Sequence, residues 1–331
     1  MRWLLMPLAW IYAAIIYLRW KFYKWGVLKS KKAPAPVISV GNIALGGTGK
    51  TPCTIWLTKR LKEMGFEPVI LTRGYKRKQK GNMVIYGENP EAILAGDEPA
   101  LMASKLPGVD IVVDKDRVSA AKHYGASPGR VFILDDGFQH MQIARDFDIL
   151  LLPAEDPLSG GHLFPVGRLR DGAWRIAESD VLVIVGNRSQ SDDIRHLGYK
   201  GPIYVSKKKL VSIKTRDDRI LDQAAIRGQK VLAFAGIARP ESFRETLEQA
   251  GIEVVQLVAY PDHYYYKASD IEDIEAAAEE YGANILITTE KDVVRLTALD
   301  SRLQIMVAQI EFTLDKPEEF LDLIIKSIGE K

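Results

Sequence analysis

The 331 residues exceed one ordinary domain, and 47% apolar with 27% charged residues is the balance of a folded protein, which excludes a disordered chain. A single cysteine, Cys53, excludes an internal disulfide or a cysteine-built zinc site and fits a reducing compartment. The net charge of +2 is uneven: residues 1–32 hold seven Lys/Arg and no Asp/Glu, leaving 38 basic against 43 acidic residues, so a general nucleic-acid surface is excluded.

A basic excess confined to one end points to a local anionic contact, such as a bilayer surface. Trp3 to Leu18 is uncharged and mostly apolar, broken only by Pro7, with Arg2 before it and Arg19, Lys21 and Lys24 after it. Four of the six tryptophans (Trp3, Trp10, Trp20, Trp25) lie here, interleaved with Tyr12, Tyr17 and Tyr23. Indole and phenol rings favour the headgroup level, where the ring is dry and the polar tip is wet. Sixteen residues fall short of the roughly 20 that span a bilayer as a helix. A signal peptide competes on length, but no small-residue cleavage site follows. A core helix is the bland alternative, and it seldom carries so many tryptophans beside so basic a flank. Residues 1–32 are therefore expected to be an uncleaved membrane-anchoring helix and its basic flank, the helix lying in, or inserting part way into, the membrane and the flank 19–32 staying on the cytoplasmic side with everything after it.

From Pro36 short β-branched runs alternate with helical segments, the pattern of a parallel sheet covered by helices. The predicted strands are Val37–Val40, Pro68–Leu71, Asp110–Val113, Val131–Leu134, Asp148–Leu152 and Val181–Val185, with helices at 50–64, 97–105 and 116–124. After Pro202 the character changes. Tyr204–Ser206 and Leu210–Ile213 flank the basic Lys207–Lys209, which reads as a β-hairpin connector. A second series follows: strand Lys230–Ala235, helix Pro240–Ala250, strand Glu253–Val258, helix Ser269–Tyr281 and strand Asn284–Thr288. The expected fold class is α/β: a P-loop NTPase-like parallel-sheet core at 33–202, a hairpin linker at 203–222 and a smaller α/β domain at 223–331. A cleft between the two layers is the default active site.

The segment from Val37 to Thr51 is a buried strand, a glycine-rich turn and a helix start. In a P-loop, backbone N–H groups wrap the phosphates of ATP, a lysine approaches the β/γ oxygens and a hydroxyl ligates Mg²⁺. Gly46, Gly47, Thr48 and Gly49 supply the wrap, Lys50 the cation and Thr51 the hydroxyl. The usual motif has a glycine six positions before the lysine, where this chain has Ala44. Val131–Asp136 is an apolar strand ending in carboxylates, the Walker B arrangement, so Asp135 and Asp136 are expected to hold Mg²⁺ or its waters, with Glu98 as helper. Arg117 is expected to face phosphate or substrate. Gln139 and His140 lie just beyond the Walker B strand, where they can orient metal-bound water or phosphate; for His140 a structural role is equally open.

Seven stretches occur in order: residues 37–52 (VISVGNIALGGTGKTP), Leu71–Arg77 (LTRGYKR), Gly96–Pro99 (GDEP), Leu134–His140 (LDDGFQH), Leu163–Asp171 (LFPVGRLRD), Tyr260–Tyr264 (YPDHY) and Thr288–Asp292 (TTEKD). As an ordered set spanning nearly the whole chain, they resemble the tetraacyldisaccharide 4′-kinase family of the lipid A pathway. The resemblance implies transfer of the ATP γ-phosphate to the 4′-hydroxyl of tetraacyldisaccharide 1-phosphate, at the cytoplasmic face of the inner membrane. A substrate with four acyl chains stays in the bilayer, so an interfacial helix brings the enzyme to it.

The resemblance also implies an acceptor-side pair, Asp97 of GDEP and His263 of YPDHY, with Asp97 taking the proton of the attacking hydroxyl. The two lie in different layers and would meet only across the cleft. From the residues alone, Asp97 is also a good N-cap ahead of Glu98-Pro99, and His263 a surface loop residue. Arg170 and Asp171 match an Arg-Glu pair that the family associates with the lipid; the shorter Asp171 departs from that pattern. TTEKD matches the family with no role beyond a strand-to-helix cap.

The rival from another class is a membrane-associated ATPase switch of the partitioning or positioning type. Such switches carry a lysine directly before the two glycines, where this chain has Leu45. A kinase of a soluble metabolite would have no use for the N-terminal 25 residues.

Overall fold

The computed structural model describes residues 5–74, 83–86, 96–186, 191–217, 219–221, 226, 228–237, 239–262, 264–296 and 300–329; at 83–86, 97 and 191–193 it describes the backbone alone. The chain divides into two compact units, Met1–Lys207 with Thr313–Lys331, and Lys208–Phe312.

The first unit is an α/β layer around a mostly parallel sheet. Its strands are β1 (Val37–Gly41), β2 (Glu67–Thr72), β3 (Met83–Tyr86), β4 (Asp110–Val113), β5 (Arg130–Asp135), β6 (Phe147–Pro153), β7 (Val181–Val185) and the start of β8 (Ile203–Thr215). Their spatial order is β8-β7-β6-β1-β5-β2-β4-β3, parallel except for β3, which runs antiparallel on the edge. β1 and β6 are buried at every position, as a strand covered on both faces must be, and this is why they read as mainly apolar runs, broken by Ser39 in β1 and Asp148 in β6.

Helix α1 (Met6–Lys24) precedes the sheet. Helices α2 (Lys50–Glu63), α3 (Asp97–Lys105) and α4 (Arg117–Tyr124) return the chain between strands. Helix α2 packs on β1, β2 and β5, and its Leu57 and Leu61 are fully buried. Each such leucine stabilises the layer by about 1.5–3 kcal/mol. Helix α3 begins one residue earlier than a capping Asp97 requires: Gly96 is the N-cap, and Asp97 is already helical.

The second unit orders its strands β11-β10-β12-β13-β8, from β10 (Lys230–Ala235), β11 (Glu253–Ala259), β12 (Ile285–Thr289) and β13 (Gln304–Leu314), with the short β9 (Ile220–Leu221) antiparallel to β8. Helix α5 (Pro240–Gln249) buries Phe243 and Leu247 against one face of this sheet, and α6 (Ala268–Tyr281) buries Ile271, Ile274 and Ala278 against the other.

The expected hairpin at 204–213 is not formed. β8 runs unbroken through Lys207–Lys209, whose three lysines are exposed on a continuous strand. A tight turn needs a residue that tolerates positive φ, or a proline; three lysines supply neither. The domain boundary differs too. The chain leaves the first unit within β8 and re-enters it within β13, so helix α8 (Pro317–Gly329) belongs to the first unit, where Phe320 packs edge-on against Trp56 and Tyr204.

Candidate active site

Strand β1 delivers Gly41 and Asn42 to the sheet's C-terminal edge, and the glycine turn leads into α2. Gly49 is the α2 N-cap with φ +79°, a conformation that costs a side-chain-bearing residue about 1 kcal/mol or more. The turn is braced from inside: Asn42 Nδ2 donates to Thr48 Oγ1 at 2.6 Å, and Gln139 Nε2 donates to the Asn42 carbonyl at 2.7 Å. Thr48 and Thr51 are buried, and Lys50 opens the helix, whose N-terminal amides and dipole favour an anion.

Parallel register places β5 beside β1, with Val40 opposite Asp135. Asp135, 2% exposed, accepts from Thr54 Oγ1 at 3.4 Å and Thr72 Oγ1 at 3.2 Å. Burial, then the charges of Glu98 and Asp136, push its carboxyl up to about 6. Asp136 adopts φ +52°, a left-handed conformation uncommon outside glycine. That turn sets its carboxylate against Arg170, whose Nη1 and Nη2 donate at 2.8 and 2.7 Å, and 3.7 Å from Lys50 Nζ. Burial raises Asp136, but the Arg170 hydrogen bonds and the charges of Lys50, Arg170 and Arg117 outweigh it and hold the carboxyl at about 2.

Arg170 also donates to Asn42 Oδ1, tying the Walker B turn to the glycine turn. Arg117, 4% exposed at the start of α4, donates to the Asp136 carbonyl at 3.3 Å. Lys50, Asp135, Asp136, Arg117, Gln139 and Arg170 are thus brought together, with the charge of Glu98 close enough to act on Asp135. His140 is half-buried; burial first, then the Arg117 charge, lower it to about 4, and its Nε2 has no partner among the described residues.

Asp171 turns away from this group. It is buried and accepts from Arg175 Nη1 at 3.1 Å and from the Gly172 amide at 3.0 Å. The Asp97 side chain and His263 lie outside the described residues, as do Tyr75–Arg77 of the LTRGYKR stretch. Sequence reasoning missed Asn42, Thr54, Thr72 and Tyr12. Of these Asn42 left a signal, a polar residue directly between a mainly apolar strand and the glycine turn.

No group of three or more His, Cys, Asp or Glu that could hold a metal occurs among the described residues. The residues present nevertheless fit Mg²⁺, which is held by one or two carboxylates plus substrate phosphates and water. Asp135 and Asp136 crowd their charges where a cation would relieve them, and Thr51 lies in the first turn of the adjacent helix.

In the second unit the TTEKD stretch forms a cap. Thr289 is the N-cap of the short α7 (Glu290–Val293) and accepts from the Asp292 amide at 3.2 Å. Asp292, fully buried, accepts from the Gly236 amide at 3.0 Å, the Tyr266 hydroxyl at 3.2 Å and the Thr289 hydroxyl at 2.5 Å.

Comparison with known proteins gives one answer. The family model described as LpxK, tetraacyldisaccharide-1-P 4′-kinase, matches residues 1–329. The tetraacyldisaccharide 4′-kinase of Desulfotalea psychrophila is 34% identical over 341 residues, covering 98% of this chain and 97% of its own. That of Syntrophus aciditrophicus is 35% identical over 343 residues, covering 96% and 91%. A crystal structure of the "apo" form of LpxK from Aquifex aeolicus in complex with ATP superposes with a TM-score of 0.74 at 32% identity, covering 99% of each chain.

Proposed function

The chain belongs to the tetraacyldisaccharide-1-P 4′-kinase family, and from that membership we propose how its own residues carry out the reaction. The enzyme transfers the γ-phosphate of ATP to the 4′-hydroxyl of tetraacyldisaccharide 1-phosphate, a step of lipid A biosynthesis. The observation that carries the reading is the junction of Lys50, Asp136 and Arg170 at the mouth of the glycine turn.

Phosphoryl transfer asks a protein mainly for positioning and charge neutralisation. Gly46, Gly47, Thr48 and Gly49 wrap the triphosphate in a P-loop NTPase-like cradle, with Lys50 set against its β/γ oxygens. Thr51, Asp135 and Asp136, helped by Glu98, would hold Mg²⁺, which would supply positive charge to neutralise the phosphate oxygens. Arg117 and Arg170 keep the Asp136 turn in place, and Gln139 does the same for Asn42. His140 faces phosphate or substrate. On the acceptor side Asp97 accepts the proton of the sugar hydroxyl, and His263 is the second residue supporting that step.

The acceptor lies in a membrane, and α1 is suited to meet it at the cytoplasmic face of the inner membrane. Leu8, Ile11, Ile15, Leu18 and Phe22 recur every three or four residues and are all exposed, a single apolar stripe. The opposite side is held to the protein by Tyr12, by Tyr17 edge-on to Trp174 at 5.4 Å and by Lys24 paired with Glu178 at 3.0 Å. Among the described residues no helix is long and apolar enough to cross a membrane, so the proposed mode is interfacial.

The test is transfer itself. Purified protein with labelled MgATP in mixed micelles should phosphorylate tetraacyldisaccharide 1-phosphate. Asp97→Ala should remove transfer while sparing ATP binding. ATP turnover indifferent to the lipid would sink the reading.

A further inference from the structure

Residues 168–170 run antiparallel beside residues 43–45. The Leu45 amide donates to the Arg168 carbonyl at 2.7 Å and the Arg170 amide to the Ile43 carbonyl at 2.7 Å, with Ala44 and Leu169 forming the bridge between them. Side chains alternate along such a ladder. Leu169, 2% exposed, enters the core beside Ile43 and Ala44, so Arg168 and Arg170 leave on the other side. Arg170 commits its guanidinium to Asp136 and Asn42. Arg168 lies over the glycine turn instead: a methyl group added at Gly46 would meet its Nη2 at 2.5 Å. Arg168 is exposed, and no hydrogen bond or ion pair ties its guanidinium to another described residue.

We propose that Arg168 is a phosphate-contacting residue of the ATP site, a cation supplied from the chain's own 163–171 segment that clamps the β- and γ-phosphoryl oxygens over the turn at Gly46. Three features support it. Gly46 has φ +115° and no Cβ, so the guanidinium can lie directly on the turn. The planar fork of arginine matches phosphate oxygens in a way that lysine does not. Lys50 and Arg170 share the single negative charge of Asp136, whereas no ion pair among the described residues engages Arg168. An arginine provided in cis is a known means of stabilising charge that spreads over transferring phosphoryl oxygens. The assignment rests on the cradle holding ATP and adds to it a residue outside the glycine-lysine motif.

The experiment compares wild type, Arg168→Ala, Arg168→Lys and Lys50→Met. Calorimetric titration gives the Kd for MgATP, and steady-state kinetics in mixed micelles give kcat and the KM for each substrate. Arg168 is exposed, so thermal melts should match wild type and serve as the folding control. Arg168→Ala should weaken MgATP binding about ten- to hundred-fold, the range of a charged hydrogen bond, with the lipid KM unchanged. Arg168→Lys should recover part of the loss. A Kd within twofold of wild type for Arg168→Ala, beside a lost affinity in Lys50→Met, would overturn Arg168 alone. Wild-type affinity in both variants would overturn the cradle with it. A defect confined to the lipid KM would also overturn the assignment, because it would place Arg168 on the acceptor.

Discussion

The hydroxyl of Tyr12 donates to the carbonyl oxygen of Arg170 at 2.7 Å, while the guanidinium of the same arginine grips Asp136. One hydrogen bond thus joins the helix with the exposed apolar stripe to a carboxylate of the nucleotide site. Tyr12→Phe keeps the ring, and with it the edge contact to Phe164 at 6.1 Å, but removes that bond. A single hydrogen bond is worth about 0.5–1.5 kcal/mol, or roughly two- to tenfold in rate. The variant is expected to lose that factor in kcat/KM on lipid presented in vesicles, with the MgATP Kd unchanged. Identical rates on vesicles would show that the helix only docks.

Asp136 combines a left-handed backbone with a carboxylate shared between Lys50 and Arg170. Asn tolerates that backbone, so Asp136→Asn tests the charge without straining the turn. Asp136 is an anion and would act through the Mg²⁺ it helps to hold, so losing its charge is expected to cost about a hundredfold or more in kcat. The expected result is such a loss in kcat with a near-normal melting temperature, read by single-turnover kinetics and calorimetry.

His140 makes stability depend on pH. Burial first, and then the charge of Arg117, hold it at about 4, below the 6.5 of an ordinary histidine. Between those values the unfolded chain binds the proton more readily than the folded protein does. Stability therefore falls as the pH drops from 6.5 towards 4, and this contribution is fully present above 6.5. His140→Gln should flatten that part of the curve. Melting temperatures at pH 7.5, 6.0 and 5.0 for both proteins check it: the gap between them should narrow or change sign on acidification, and a constant gap would refute the assignment.

The parallel strands were legible because burial on both faces favours mainly apolar runs, and β4 and β7 fall on their predicted residues. Lys50 and the two aspartates were legible because strand, glycine turn and helix are local in sequence. What escaped was non-local or turn-dependent. The lysines at 207–209 resembled a connector, yet without a turn-former the strand simply continues. β13 crosses from one unit to the other, so neither a uniform alternation nor an apolar run marks it, and its burial pattern shifts midway. Tyr12, Arg168 and Thr72 lie far from the motif in sequence, and only the folded chain brings them to it. Asp171 misled for a physical reason: its shorter side chain accepts from Arg175 inside the protein.

Asp292 gives the TTEKD stretch a role that its sequence did not reveal. Its carboxylate is the acceptor for the Gly236 amide and for the hydroxyls of Tyr266 and Thr289, all at a fully buried position. Around Gly236 the chain is close: an added methyl would meet Tyr264 Cβ at 3.1 Å and the Pro261 carbonyl at 3.2 Å, and the Tyr264 amide donates to that same carbonyl. The carboxylate therefore underlies the segment that carries His263. Asp292→Ala would strand three buried donors and remove one ion-pair partner of Arg295, 3.7 Å away, and should destabilise the protein by about 3–5 kcal/mol in urea titration. Tyr266→Phe removes one donor together with its bond and should cost only about 1 kcal/mol. If His263 serves the acceptor, Asp292→Asn, which keeps one acceptor oxygen, should lower kcat more than it lowers the urea midpoint and leave the MgATP Kd intact. A fall in both, in proportion, would reduce Asp292 to a structural cap.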